Sequence, residues 1–252
     1  MNWQSELHNT LAALDREKLK AEFKSQNEFL VIEHFLPRSV LEAFIACLPA
    51  LEPKIHRNYI PRHKKGGSIS RFDLDRLAPV FGEFYRLPEW RAWLNEFTEG
   101  DLLLCPISDP HTYALYYYTE PEDHMGWHYD TSYYQGRRYT ALMGLVDQSS
   151  CRLEYQLYRD DRDHKPETHA LALTPGTLVI FNGDKLYHRI TPLRRGERRI
   201  ALTLEYVTDV QMAPLLRFIS TMKDAIAYFG FSSLFQRGAV SAIHESVDIS
   251  CR

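Results

Sequence analysis

From about residue 101 to residue 209 the chain is cut into short pieces, and that rhythm limits what it can fold into. The pieces are "TYALYYYT" (112–119), "RYTALMGLVD" (138–147), "RLEYQLYRD" (152–160), "HALAL" (169–173), "GTLVIF" (176–181) and "RIALTLEY" (199–206). They are rich in β-branched and aromatic residues and are separated by Pro, Gly, Asp and Ser. Runs this short and this closely spaced read as strands of a sandwich or jelly roll, not as helices.

Helical patterns flank this centre. Residues 5–23 set Leu7, Leu11, Leu14, Leu19 and Phe23 among Glu and Lys at helical spacing, which predicts one amphipathic helix. "EFLVIEHFLP" (28–37) has a β-type apolar run, and "RSVLEAFIACLPAL" (38–51) returns to a helical pattern with Ser39 as the candidate cap. "HRNYIPRHKKGGSISRFD" (56–73) is basic and aperiodic and contains Gly66-Gly67, so it reads as a mobile loop. Helical character resumes over 77–100 and again in "APLLRFISTMKDAIAYFGFSSLF" (213–235). The expectation is a single α+β domain over 1–252. Residues 1–100 form a mainly helical lead-in, 101–209 the jelly-roll core and 210–252 a helical tail. The tail is expected to pack or to form a homodimer, with peripheral membrane contact through 213–235 as the alternative.

The bulk properties exclude more than they assign. A formal net charge of -3 gives no basic surplus for nucleic acid. No apolar run approaches the length of a membrane span, and the start "MNWQSELHNT" lacks the pattern of a secretory signal. Cys47, Cys105, Cys151 and Cys251 are scattered with no CxxC pair, which reads as reduced thiols in a cytoplasmic protein.

The chemistry concentrates in "GWHYDT" (126–131). On a strand His128 and Asp130 share a face and can converge on one point. A third ligand is offered by His188, which lies 60 residues later, after a buried run and a Gly183-Asp184 turn. Two imidazoles and one carboxylate on one side of an ion form the facial triad that suits non-haem Fe(II). His124, four residues before His128, would pair with it for zinc only on a helix, and Gly126 and the tyrosines argue against one.

In "GERRIALTLEY" (196–206), alternation puts Arg199, Ala201, Thr203 and Glu205 on one face and Ile200, Leu202, Leu204 and Tyr206 on the other. The second set is apolar and belongs to the core. An arginine on the first face, turned inward, needs an anion, and a dicarboxylate cosubstrate would supply it. Arg198 competes for that role, but its use would turn the apolar set into the cavity, so Arg199 is favoured. Arg137 and Arg138 are candidates for an anionic substrate, although a solvated loop is the simpler reading.

The ordered set "YYYTEPEDHMGWHYDT", "PGTLVIFNG…H" and "TPLRRGERRIALTLEY", with "FLVIEHFLPRSVLEAFI" before it, resembles the Fe(II)/2-oxoglutarate-dependent dioxygenases over roughly residues 28–208. The resemblance implies a double-stranded β-helix with flanking helices, Fe(II) held by His128, Asp130 and His188, and 2-oxoglutarate held by Arg199. Tyr118 and Thr140 are candidates for hydroxyl contacts to the cosubstrate. It further implies a hydroxylase that uses O2 on a small-molecule substrate. The ends look closest to a branch acting on free amino acids, which includes radical halogenases. Those replace the metal carboxylate by a small residue, whereas Asp130 is kept here, which favours hydroxylation. Ser149-Ser150 stands where relatives commonly have Gly-Gly. A jelly-roll binding or sensing protein that keeps the triad without oxidation is the competing expectation.

Overall fold

In the computed structural model, which describes residues 3–98 and 100–212, each short β-rich run forms a strand. Among the described residues the helices are α1 (Trp3–Ala13), α2 (Arg16–Ser25), α3 (Arg38–Leu51), α4 (Arg71–Leu77), α5 (Val80–Arg86) and α6 (Pro88–Asn95). The strands are β1 (Phe29–Ile32), β2 (His56–Ile60), β3 (Lys64–Ile69), β4 (Leu103–Leu104), β5 (Tyr113–Tyr118) and β6 (His124–His128). They continue with β7 (Arg138–Gln148), β8 (Leu153–Leu157), β9 (Glu167–Leu171), β10 (Leu178–Asn182), β11 (Tyr187–Ile190) and β12 (Arg198–Val207).

The strands pair antiparallel in the order β1-β10-β7-β12-β5-β3-β6-β11-β8-β9, with β2 on β3 and β4 on β12. The sheet curls so that β6, β11 and β8 face β5, β12 and β7 across a cavity, which is the double-stranded β-helix. Alternation sorts the side chains. Leu178 and Ile180 of β10, Tyr139, Ala141 and Met143 of β7, and Ile200, Leu202, Leu204 and Tyr206 of β12 join the helices in one apolar core. Val179 and Phe181, Leu142, and Ala201 point the other way, into a second core inside the curl. The period of two thus serves two layers at once. The helices also grip β12 by hydrogen bonds: Trp90 Nε1 donates to the Tyr206 hydroxyl (2.9 Å), which donates to the Tyr85 carbonyl (2.9 Å).

Three expectations are corrected. The helix expected over 5–23 is two helices, because Asp15 caps α2 by accepting from the Lys18 backbone N–H (3.1 Å) and so breaks the run. Ser39 is not the cap of α3. Pro37 holds that position, and the Ser39 hydroxyl instead donates to the Glu6 carboxylate, joining α3 to α1. The segment read as a mobile loop contains the hairpin β2–β3, and β3 lies between β5 and β6. Its glycines do not mark a turn. A Cβ on Gly67 would meet Ile55 Cγ2 at 2.4 Å, so the strand is glycine because it is pressed against its neighbours. Arg57 of β2 locks the hairpin down, donating to Asp123 Oδ1 (2.6 Å), whose other oxygen accepts the Thr119 and Glu120 backbone N–H groups.

Among the described residues no helix is long and apolar enough to cross a membrane. Cys47, Cys105 and Cys151 are free thiols. The tail expectations over 213–235, including dimerisation and membrane contact, lie outside the described residues, as does Cys251.

Candidate metal centre and its cavity

The pairing of β6 with β11 puts His128 directly opposite His188 in register, which is how residues 60 apart in sequence meet. Their ring centroids are 4.2 Å apart. Asp130 lies just past the end of β6 and turns back: its Oδ1 is 3.3 Å from His128 Nε2 and its Oδ2 4.0 Å from His188 Nε2. One candidate ligand atom from each of the three residues lies within 4.8 Å of the others.

Both rings are held in the form that binds a metal. His128 Nδ1–H donates to the Gly126 carbonyl (2.8 Å) and His188 Nδ1–H to the Leu186 carbonyl (3.0 Å). A carbonyl only accepts, so each Nδ1 carries the proton and each Nε2 presents a lone pair. Burial and the neighbouring His128 push His188 down to about 4, which leaves it neutral near pH 7. Burial alone would raise the Asp130 carboxyl. His188 and His128, with Arg138 beyond them, reverse this and hold it far below the usual carboxylate range.

Two supports fix Asp130. The Thr140 hydroxyl is 3.1 Å from its Oδ2 and 2.9 Å from Glu205 Oε2. On the other side Gly183 makes a close approach: a Cβ there would meet the Asp130 carbonyl oxygen at 2.5 Å. The Gly183–Lys185 turn is itself held from afar. Glu28 Oε2 accepts from Asn182 Nδ2 (2.8 Å) and from the Tyr139 hydroxyl (2.9 Å), and Lys185 pairs with Oε1.

The cluster opens on a cavity that is continuous with the surface and is lined by residues of β5, β6, β7, β11 and β12. Leu142, Leu153, Ile190 and Ala201 give part of its wall an apolar character, and Arg199 enters from β12. Arg199 is 1% exposed, and none of its three guanidinium nitrogens has a hydrogen-bond partner among the described residues. The ring of Tyr118 lies 5.2 Å from its central carbon. Burial pushes the Tyr118 phenol up to about 12, so it is a neutral donor at ordinary pH.

Of the residues singled out in the sequence, His128, Asp130, His188, Arg199, Tyr118 and Thr140 all line this cavity. The Thr140 hydroxyl is engaged with two carboxylates. Arg198 is not brought there: it points away and pairs with Glu52 (2.9 Å). His124 sits on strand β6, which removes the helical zinc pairing. Arg138 lines the cavity instead of forming a solvated loop, with its Nε 2.9 Å from Glu205 Oε2. Burial raises the Glu205 carboxyl in spite of that arginine. Asp109 was not anticipated. The only sequence signal was an Asp-Pro pair, which reads as a turn.

No protein-family model and no curated protein matches the chain. Solved structures do. The 2-oxoglutarate-dependent epimerase SnoN of nogalamycin biosynthesis superposes with a TM-score of 0.62 at 12% identity, covering 76% of this chain and 81% of its own. A prolyl hydroxylase from Trichoplax adhaerens gives 0.61 at 13%, covering 87% and 97%. A 2-oxoglutarate–Fe(II) oxygenase family protein from Burkholderia pseudomallei gives 0.54 at 12%, covering 80% and 96%. The chain has the 2-oxoglutarate oxygenase fold. Within that fold the His128–Asp130–His188 cluster faces the interior of the curl, and β12 delivers Arg199 to the same interior.

Proposed function

We propose that the protein is an Fe(II)- and 2-oxoglutarate-dependent oxygenase that hydroxylates an unactivated C–H bond of a small molecule, an amino acid or similar metabolite. The observation that supports this best is Arg199. A buried guanidinium without a hydrogen-bond partner among the described residues is costly, and it shares a cavity with two imidazoles and a carboxylate already set to bind a metal. A dicarboxylate satisfies both ends.

The donor set fits ferrous iron: two neutral Nε2 atoms and one carboxylate on one side, leaving the cavity side open. Bound there, iron lets O2 oxidise 2-oxoglutarate to succinate and CO2, with the other oxygen atom inserted into the substrate C–H bond. The chain's residues do the rest. His128, Asp130 and His188 hold their lone pairs fixed by the Gly126 and Leu186 carbonyls and the Thr140 hydroxyl. Arg199 takes the distal carboxylate of 2-oxoglutarate in a two-pronged hydrogen bond, with the Tyr118 hydroxyl beside it. Leu142, Leu153 and Ile190 exclude water from that end. The rest of the cavity receives the substrate and orients its target carbon.

Anaerobic addition of Fe(II) and then 2-oxoglutarate should produce a weak visible charge-transfer band, and admission of air should yield succinate. His128→Ala and Asp130→Ala should show neither. A wild-type protein with no band and no succinate would refute the assignment and favour a binding or sensing role.

A further inference from the structure

One charge in the cavity lining has no role in the oxygenase reading. Asp109 stands in the 106–112 turn ahead of β5 and lines the same cavity as His128 and Asp130. This turn is built firmly. Arg71 Nη1 donates to the Ile107 carbonyl (2.8 Å) and the Asp109 N–H to the Pro106 carbonyl (2.9 Å). The Thr112 hydroxyl donates to the Asp109 carbonyl (2.8 Å). The Asp109 carboxylate accepts from the His111 backbone N–H at Oδ1 (2.8 Å) and from the Tyr134 hydroxyl at Oδ2 (2.7 Å).

Both donors are neutral, so they orient the carboxylate without cancelling its charge. A neighbouring acid of the lining, Glu205, is paired with Arg138 at 2.9 Å. Asp109 makes no contact ion pair among the described residues, although the Arg138 guanidinium, shared with Glu205 and Asp130, is near enough for its charge to be felt there. Tyr129 and Tyr133 line the cavity with it, and aromatic walls beside a carboxylate favour a cation over an anion or a neutral group. A carboxylate withdrawn from water is stabilised most by a positive charge that donates hydrogen bonds.

We propose that Asp109 is the subsite for a protonated amino group of the primary substrate, so that the enzyme acts on amine-bearing small molecules. The inference rests on the oxygenase reading above and narrows its substrate class. Asp109 is then a specificity-determining residue that never touches the metal.

The test uses the full chain loaded with Fe(II) and measures succinate formation above the substrate-free background. The panel is the proteinogenic amino acids and a set of simple monoamines and diamines, each paired with its N-acetyl derivative. Stimulation is expected from free amines and not from their acetylated partners. Asp109→Asn should cut the amine-over-acetyl ratio of kcat/KM by about tenfold or more, because a charge-assisted bond becomes a neutral one. Tyr134→Phe removes the tie but keeps the charge, so the ratio should survive even if the overall rate falls. The same amine preference should appear as thermal stabilisation of the iron-free protein. Equal stimulation by acetylated compounds, or none by any amine over an intact background, would overturn the inference alone. So would an equal loss of ratio in both variants, which would make Asp109 a tie between loops. A wild-type protein without background succinate would remove the oxygenase reading, and this inference with it.

Discussion

Replacing Arg199 by Met should stabilise the ligand-free protein while abolishing its grip on 2-oxoglutarate. Met keeps most of the length of the side chain and discards the charge. In the wild type the guanidinium is 1% exposed and has no hydrogen-bond partner among the described residues, and the Tyr118 ring at 5.2 Å offsets part of its desolvation. Burying an ion costs several kcal/mol, and a desolvated cation–π contact recovers about 2 kcal/mol of that. The variant should therefore be more stable by about 1–4 kcal/mol without ligand, the range seen when buried charges give way to apolar residues. In a domain of this size that is a rise in Tm of about 2–4 °C per kcal/mol. With cosubstrate the order reverses. Two charge-assisted hydrogen bonds at about 1.5–3 kcal/mol each are lost, or about 3–6 kcal/mol together. That corresponds to a Kd for 2-oxoglutarate weaker by about a hundredfold to ten-thousandfold. Thermal unfolding with and without 2-oxoglutarate, together with calorimetric titration, reads both effects. A variant that is less stable without ligand and binds 2-oxoglutarate as before would refute the reasoning, because the guanidinium would then be doing structural work.

Other perturbations reach the centre through its supports. Gly183→Ala should push the Asp130 backbone, since a Cβ would come within 2.5 Å of its carbonyl oxygen, costing about 1–3 kcal/mol. Cobalt(II) titration should show weaker metal binding in a folded protein, and unchanged affinity would mean that Asp130 adjusts freely. Thr140→Val removes the hydroxyl shared by Asp130 and Glu205. Metal affinity should fall by about 10–100-fold, as for other lost supports of metal ligands, and an intact affinity would leave Thr140 as packing only. Burial would raise the Glu28 carboxyl, but hydrogen bonds from Lys185, Asn182 and Tyr139 and the Lys185 charge outweigh it and hold it low. Its stability contribution is therefore fully present above the ordinary glutamate value of 4.5 and is lost as the pH falls below that. Glu28→Gln should destabilise the protein at pH 7 and flatten part of its acid limb in denaturant melts. An unchanged acid limb would count against this.

Residues whose pattern was strict were legible in the sequence. On β12 the alternation Arg199, Ala201, Thr203, Glu205 against Ile200, Leu202, Leu204, Tyr206 was readable because one set is wholly apolar, and it decided Arg199 over Arg198. His128 and His188 were readable because polar residues interrupt runs that otherwise belong inside. The hairpin β2–β3 was not legible. Its strands are polar and glycine-bearing, and they are strands only because β5 and β6 offer hydrogen-bonding edges to β3. Asp15 was passed over because leucine spacing continues across it, although its capping chemistry was present. Arg138 looks in sequence like either a substrate grip or part of a solvated loop, because its partner Glu205 is 67 residues away and no local pattern announces a buried ion pair. Asp109 was missed for a similar reason: a turn looks the same in sequence whether it faces solvent or a cavity.

The hairpin has one further bearing. The strand that presents His128 is flanked by β11 on one side and by Lys64 and Lys65 of β3 on the other, while the next portion of β3 seals against β5. A stretch encoded before most of the barrel is thus the stave that joins its two walls. Cutting the chain near residue 100 would leave the barrel open along that seam, so the half that carries the His128–Asp130–His188 cluster is not expected to fold as a transplantable module without its leading segment.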